Sequence, residues 1–82
     1  MTAAIMEQSP LRKAAARANG INELARQLGV TRQSFYSWEK EGGATPVFAI
    51  LIARLTGVKP HDVCAERYHE QLDLIVDYFA RS

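Results

Sequence analysis

Arg32, Gln33, Tyr36, Ser37 and Lys40 cluster in one short stretch of an 82-residue chain. Their shared chemistry is hydrogen bonding and positive charge. The donor fork of an Arg matches guanine O6 and N7, and a Gln amide matches adenine N6 and N7. Tyr36 is suited to a thymine methyl or a phosphate, and Ser37 is a shorter, less specific donor. Thr31 and Lys40 suit backbone phosphates, which position a protein on a duplex without reading its sequence. Phe35 and Trp38 interrupt the polar set at a spacing of three, so a helix turns them to one side and the polar residues to the other. Trp38 therefore reads as core packing rather than a stacking platform, and so does Phe35.

The elements that must hold this helix are legible on its N-terminal side. Leu24, Ala25 and Leu28 share one face of a preceding helix that Asn22 is placed to cap. Gly29 breaks that helix and supplies the positive φ of a sharp turn. Val30 plugs the corner, and Thr31 is placed to cap the second helix by accepting from its free N–H groups. Ala25 is small, so the two helices can cross closely. Two short helices joined in this way, with a polar second helix, form the arrangement that docks in a DNA major groove.

From Asn22 through Glu41 the chain resembles the helix-turn-helix of Cro-type phage repressors and related YdaS-like DNA-binding proteins. The likeness rests on Ala25, Gly29, Val30, Phe35 and Trp38, and it runs over roughly residues 9 to 67, through Gly42-Gly-Ala-Thr-Pro46 and Thr56-Gly-Val58. It implies a lambda-repressor-like fold that binds a double-stranded DNA operator as a homodimeric transcriptional regulator, with a phage, prophage or antitoxin context. One position departs from the pattern. Ile21 stands where the family often has Gln, and Asn22 is the candidate for the phosphate contact that Gln would make.

Punctuation elsewhere predicts an all-α, compact bundle of about five helices. Ser9-Pro10 and Thr45-Pro46 each pair a cap with a proline at the first helical position. The first helix is expected to run to about Asn19 and stop at Gly20. The fourth should end at Gly57, and Pro60 opens a short turn. Gly42-Gly43 reads as a flexible link. From Glu66 to Ala80, Leu72, Ile75, Val76 and Phe79 recur with helical period, and Leu74 and Tyr78 form a second strip. The expected organisation is an N-terminal tail over 1–8, a DNA-binding unit over 9–65 and a C-terminal helix over 66–82. The tail is read as disordered or a short helix.

Charge is divided along the chain. Residues 1–60 carry Arg12, Lys13, Arg17, Arg26, Arg32, Lys40, Arg54 and Lys59 against Glu7, Glu23, Glu39 and Glu41, an excess of four positive charges. Residues 61–82 carry Arg67 and Arg81 against Asp62, Glu66, Glu70, Asp73 and Asp77, an excess of three negative charges. The total of +1 thus hides a basic body suited to phosphate and an acidic C-terminal segment. Glu39 and Glu41 close the polar helix, where acids oppose the helix dipole. They are expected either to turn sideways onto Lys40 or Arg54, or to limit non-specific binding.

Other chemistries find little footing. His61, Cys64, Asp62 and His69 match no strong zinc spacing, so no metal and no cofactor is expected. No nucleophile–base pair or glycine-rich phosphate loop points to an enzyme. A lone cysteine, no membrane-length apolar run and no signal-peptide pattern fit a cytoplasmic protein. The C-terminal apolar residues Leu72, Ile75, Val76 and Phe79 are candidate contacts for a homodimer or another protein; the alternative is that one strip simply covers the domain's own core, and both can hold. The rival reading is accordingly a protein-interaction module in which the helix-turn-helix is scaffold.

Overall fold

A computed structural model describes residues 9–81. The expected tail over 1–8 lies outside them, as does Ser82. Six α-helices and one 3-10 turn follow in order: α1 (Pro10–Arg17), α2 (Ile21–Leu28), α3 (Arg32–Glu41), α4 (Pro46–Thr56), α5 (Pro60–Val63), the turn Glu66–Tyr68, and α6 (His69–Arg81). The molecule is an all-α small bundle with a Cα radius of gyration of 12.8 Å.

Local signals account for the starts. The Ser9 side chain accepts from Arg12 N–H at 3.2 Å, and Pro10 opens α1. Two expected boundaries shift. α1 ends at Arg17 because Gly20 N–H donates to the Ala15 carbonyl at 2.7 Å, with Asn19 held at φ 72°. That closure is a Schellman-type turn, and it returns the chain to helix at once. α2 therefore begins at Ile21 with Gly20 as its cap residue, and Asn22 sits inside the first turn rather than capping it. Ile21 itself is half-buried against the core, which ties the start of the helix down.

The core is built by Leu24, Phe35, Ile52, Val63 and Leu72, the largest fully buried side chains, one from each of the last five α-helices. Ala14, Ala15 and Ala49 are buried where α1 and α4 pack together. Arg17 reaches across from α1 to donate to the Thr56 carbonyl at 3.2 Å, so a cation closes the C-terminal end of α4. The Thr56 hydroxyl is buried and donates to the Ile52 carbonyl at 2.7 Å.

Gly42-Gly43 is not a flexible link. Gly42 closes α3 in the left-handed conformation, and Gly43 N–H donates to the Trp38 carbonyl at 2.7 Å. Ala44 then pairs in parallel with Cys64, donating to Val63 O at 2.7 Å and accepting from Ala65 N–H at 2.9 Å. The approach is so close that a Cβ on Gly43 would lie 2.6 Å from the Cys64 carbonyl carbon. The same stitch holds residues 64 and 65 extended, so the C-terminal helical pattern cannot begin at Glu66 as α-helix. A 3-10 turn intervenes, and α6 starts at His69.

Candidate nucleic-acid interface

The turn between α2 and α3 positions the polar helix. Gly29 adopts φ 75°, and Val30 N–H donates to the Ala25 carbonyl at 3.0 Å. Val30 packs half-buried on the core, and Ala25 is buried. Thr31 is the cap residue of α3, with φ −93° and ψ 164°, yet its hydroxyl makes no cap hydrogen bond. The expected side-chain cap is thus absent. The first-turn contact is instead from Ser34 N–H to the Thr31 carbonyl at 3.0 Å, which leaves the hydroxyl facing solvent.

Phe35 and Trp38 are buried, at 1% and 8% exposure, which fixes the rotation of α3 about its axis. Trp38 stacks at a tilt on Phe48 of α4, ring centroids 5.3 Å apart. With that side spent on the core, Thr31, Arg32, Gln33, Tyr36, Ser37 and Lys40 are all exposed. Tyr36 sets its ring edge-on to Phe35 at 6.1 Å and remains 41% exposed. Asn22 is exposed on α2.

Glu39 and Glu41 are each held by an arginine from outside α3, though not by the partners expected. Arg12 of α1 grips Glu39 through both carboxylate oxygens, at 2.6 and 2.9 Å. Arg67 of the 3-10 turn donates to the Glu41 carboxylate at 3.1 Å and to its backbone carbonyl at 2.9 Å. Neither Lys40 nor Arg54 is involved. The Glu39 hydrogen bond holds the Arg12 guanidinium above its ordinary pKa, outweighing the opposing desolvation. The acids at the end of α3 are therefore matched from outside the helix, and Arg32 and Lys40 stand as its cations without an ion-pair partner among the described residues.

On α2, Glu23 accepts from Arg26 and from Gln27, the latter at 2.9 Å. These bonds, Arg26 first, hold the Glu23 carboxyl at about 2. Arg26 is thus engaged within its own helix.

Arg12 and Arg67 were not legible as members of this site. Their partners lie 27 and 26 positions away, beyond any local pattern. The available signal was the misfit itself, two acids at a helix end where the dipole disfavours them.

The remaining candidates separate. Leu72 is fully buried in the chain's own core, so it is spent there and is not a surface contact. Ile75 is half-buried, while Val76 and Phe79 are exposed. His61 pairs with Asp73, and His69 lies against the Cys64 carbonyl at 3.2 Å. Cys64 is buried, and desolvation raises its thiol pKa. No group of three or more His, Cys, Asp or Glu placed to hold a metal occurs among the described residues. No helix there is long and apolar enough to cross a membrane.

No protein-family model, curated protein or solved structure matches the chain.

Proposed function

We propose that this protein binds double-stranded DNA in a sequence-selective way, laying the exposed side of α3 in the major groove. With its side chains an α-helix is about 10–12 Å across, and the groove is about 12 Å wide, so α3 fits as a reading element. Arg32 and Gln33, at its N-terminal end, are the base readers, with Tyr36 and Ser37 one turn on. Asn22, Thr31 and Lys40 hold the phosphate backbone. The observation that carries the reading is the sorting of α3. Its apolar residues are buried and its acids are matched by Arg12 and Arg67, while Arg32, Gln33, Tyr36, Ser37 and Lys40 are left open together.

One copy makes few contacts, and two copies on half-sites about 34–36 Å apart would supply affinity and a palindromic operator. The role that follows is a cytoplasmic transcriptional regulator acting by occlusion, as a repressor, in line with the resemblance to phage and antitoxin regulators. Selection of bound sequences from a random duplex library tests it. A palindromic consensus is the expected result, and enrichment of no sequence overturns it.

A second reading draws on the apolar groove between α4 and α6. In it the chain is a protein-interaction module and α3 is merely solvated. Salt separates the two. Binding through several phosphates falls by orders of magnitude between about 50 and 200 mM salt, whereas an apolar interface is nearly indifferent.

A further inference from the structure

Between α4 and α6 runs an open groove of about 450 Å³, floored by the half-buried Ile50 and Ile75 and walled by Val47, Leu51, Val76 and Phe79. Its volume lies in the range of sites that hold one small molecule. Its lining also has their usual make-up, apolar with a polar group to fix orientation. That group is Arg54, the only charged lining residue. The Arg54 guanidinium has no ion-pair or hydrogen-bond partner among the described residues.

The order of the lining selects the ligand. Val47, Ile50, Leu51 and Arg54 form one row along α4, with the cation at its end. The row from Val47 to Arg54 spans roughly 10.5 Å of helix axis. A saturated carbon chain, with bonds of about 1.5 Å meeting at about 111°, advances about 1.25 Å per atom. About eight carbons therefore cover the apolar run and bring a terminal group level with the guanidinium. An anion is the group that matches Arg54, and α6 supplies none. Helical geometry turns Glu70 and Asp77 to the side of α6 opposite Val76 and Phe79. Asp77 is paired with Arg81, and Asp73 with His61. A carboxylate fits best, because the guanidinium fork can grip it through both oxygens.

We infer that the groove binds an unbranched aliphatic carboxylate of about eight carbons, its chain lying along Ile50 and Ile75 and its carboxylate on Arg54. None of the lining residues belongs to α3, so the site goes beyond the proposed DNA surface and is tested without DNA.

Sodium octanoate, kept below the concentration at which it forms micelles, is titrated into the methyl-labelled full chain and followed by NMR. Saturable shifts are expected at Val47, Ile50, Leu51, Ile75 and Val76, with Leu74, on the opposite side of α6, unmoved. Octanol, which lacks the charge, should bind about fivefold more weakly, the scale of one exposed ion pair. Each methylene removed toward butanoate should weaken binding by about two- to fourfold. Lengthening to dodecanoate should gain less per methylene, because the row ends at Val47. Arg54→Gln should bring octanoate down to the affinity of octanol, and Arg54→Lys should restore most of the difference. Phe79→Gln should weaken octanoate and octanol alike. Both positions are exposed, so circular dichroism should be unchanged. The inference is overturned by the absence of saturable shifts, by equal movement of Leu74, which marks detergent-like coating, or by an Arg54→Gln chain that still prefers octanoate to octanol. It is overturned equally if the groove methyls shift with protein concentration alone, which gives the groove to a second copy. Binding of octanoate only after residues 1–8 are removed would give it to that segment. A chain that binds octanoate in this way and ignores every duplex would refute DNA binding and leave this site standing. One that selects a DNA sequence and ignores octanoate would do the reverse.

Discussion

Arg12 holds Glu39 by both carboxylate oxygens, joining α1 to the C-terminal end of α3. The pair is exposed, and exposed pairs add little to stability. Its consequence is electrostatic. It matches a negative charge on the helix proposed to meet phosphate. Arg12→Ala should weaken binding to operator and random duplexes alike while leaving the thermal midpoint nearly unchanged. Glu39→Gln in that background should recover most of the loss. Fluorescence anisotropy at one fixed salt concentration reads both, and no recovery would mean that Arg12 touches DNA itself.

Glu23 gives a pH-dependent readout. Its carboxyl is held at about 2, against an ordinary value of 4.5, by hydrogen bonds from Arg26 and Gln27. The folded-state value is depressed. The stabilising contribution is therefore complete above the unfolded-state value and is lost as pH falls from about 4.5 toward 2. Side-chain carboxyl NMR should show Glu23 titrating well below the other carboxylates. Arg26→Ala should raise its midpoint toward the ordinary range, leaving Gln27 as the remaining donor.

Phe35 and Trp38 face the core from α3, and their loss should be felt as stability. Truncating either to Ala is expected to cost about 3–5 kcal/mol in urea unfolding. A domain of this size has little more than that to lose, so the Phe35→Ala chain should be only marginally folded at room temperature. A cost under about 1 kcal/mol would place the ring outside the packed interior.

Gly29 and Gly43 both have positive φ, at 75° and 149°, yet they should respond differently to alanine. A Cβ on Gly29 meets nothing within 4 Å, so only the left-handed backbone opposes it, at about 1–2 kcal/mol. A Cβ on Gly43 runs into the Cys64–Ala65 backbone, which cannot step aside without breaking the stitch to Ala44. Gly43→Ala should be clearly the more destabilising in denaturant titration, and equal midpoints would argue against the close approach.

The contrast between these two glycines also marks where sequence reading ran out. The turn at Gly29 was legible because everything that shapes it is local: the stripe of Leu24 and Leu28, the aliphatic Val30, and the aromatic pair three residues apart. Helix starts at Pro10 and Pro46 were legible for the same reason. Gly43, Arg12 and Arg67 answer to residues more than twenty positions away, and nothing near them in the chain announces the partner. On α6 the period was right, but period alone does not tell a buried face from an open one. Leu72 is fully buried in the core, whereas Phe79 lines the open groove between α4 and α6 and stays 64% exposed.

Arg32 and Lys40 separate reading from holding. They sit at opposite ends of α3, both exposed and both without an ion-pair partner among the described residues. In the proposed binding mode Arg32 lies in the turn that reaches base edges most easily, and Lys40 lies where the helix would pass the backbone. Arg32→Ala should cost about 1–3 kcal/mol on the selected operator and much less on random duplex, relaxing preference at one base pair. Lys40→Ala should weaken both duplexes equally and reduce the slope of log K against log salt by about one. Parallel titrations of the two variants on operator and scrambled DNA decide the matter. Equal losses on both duplexes for Arg32→Ala would remove it from the base readers and shift the reading to Gln33 and Tyr36.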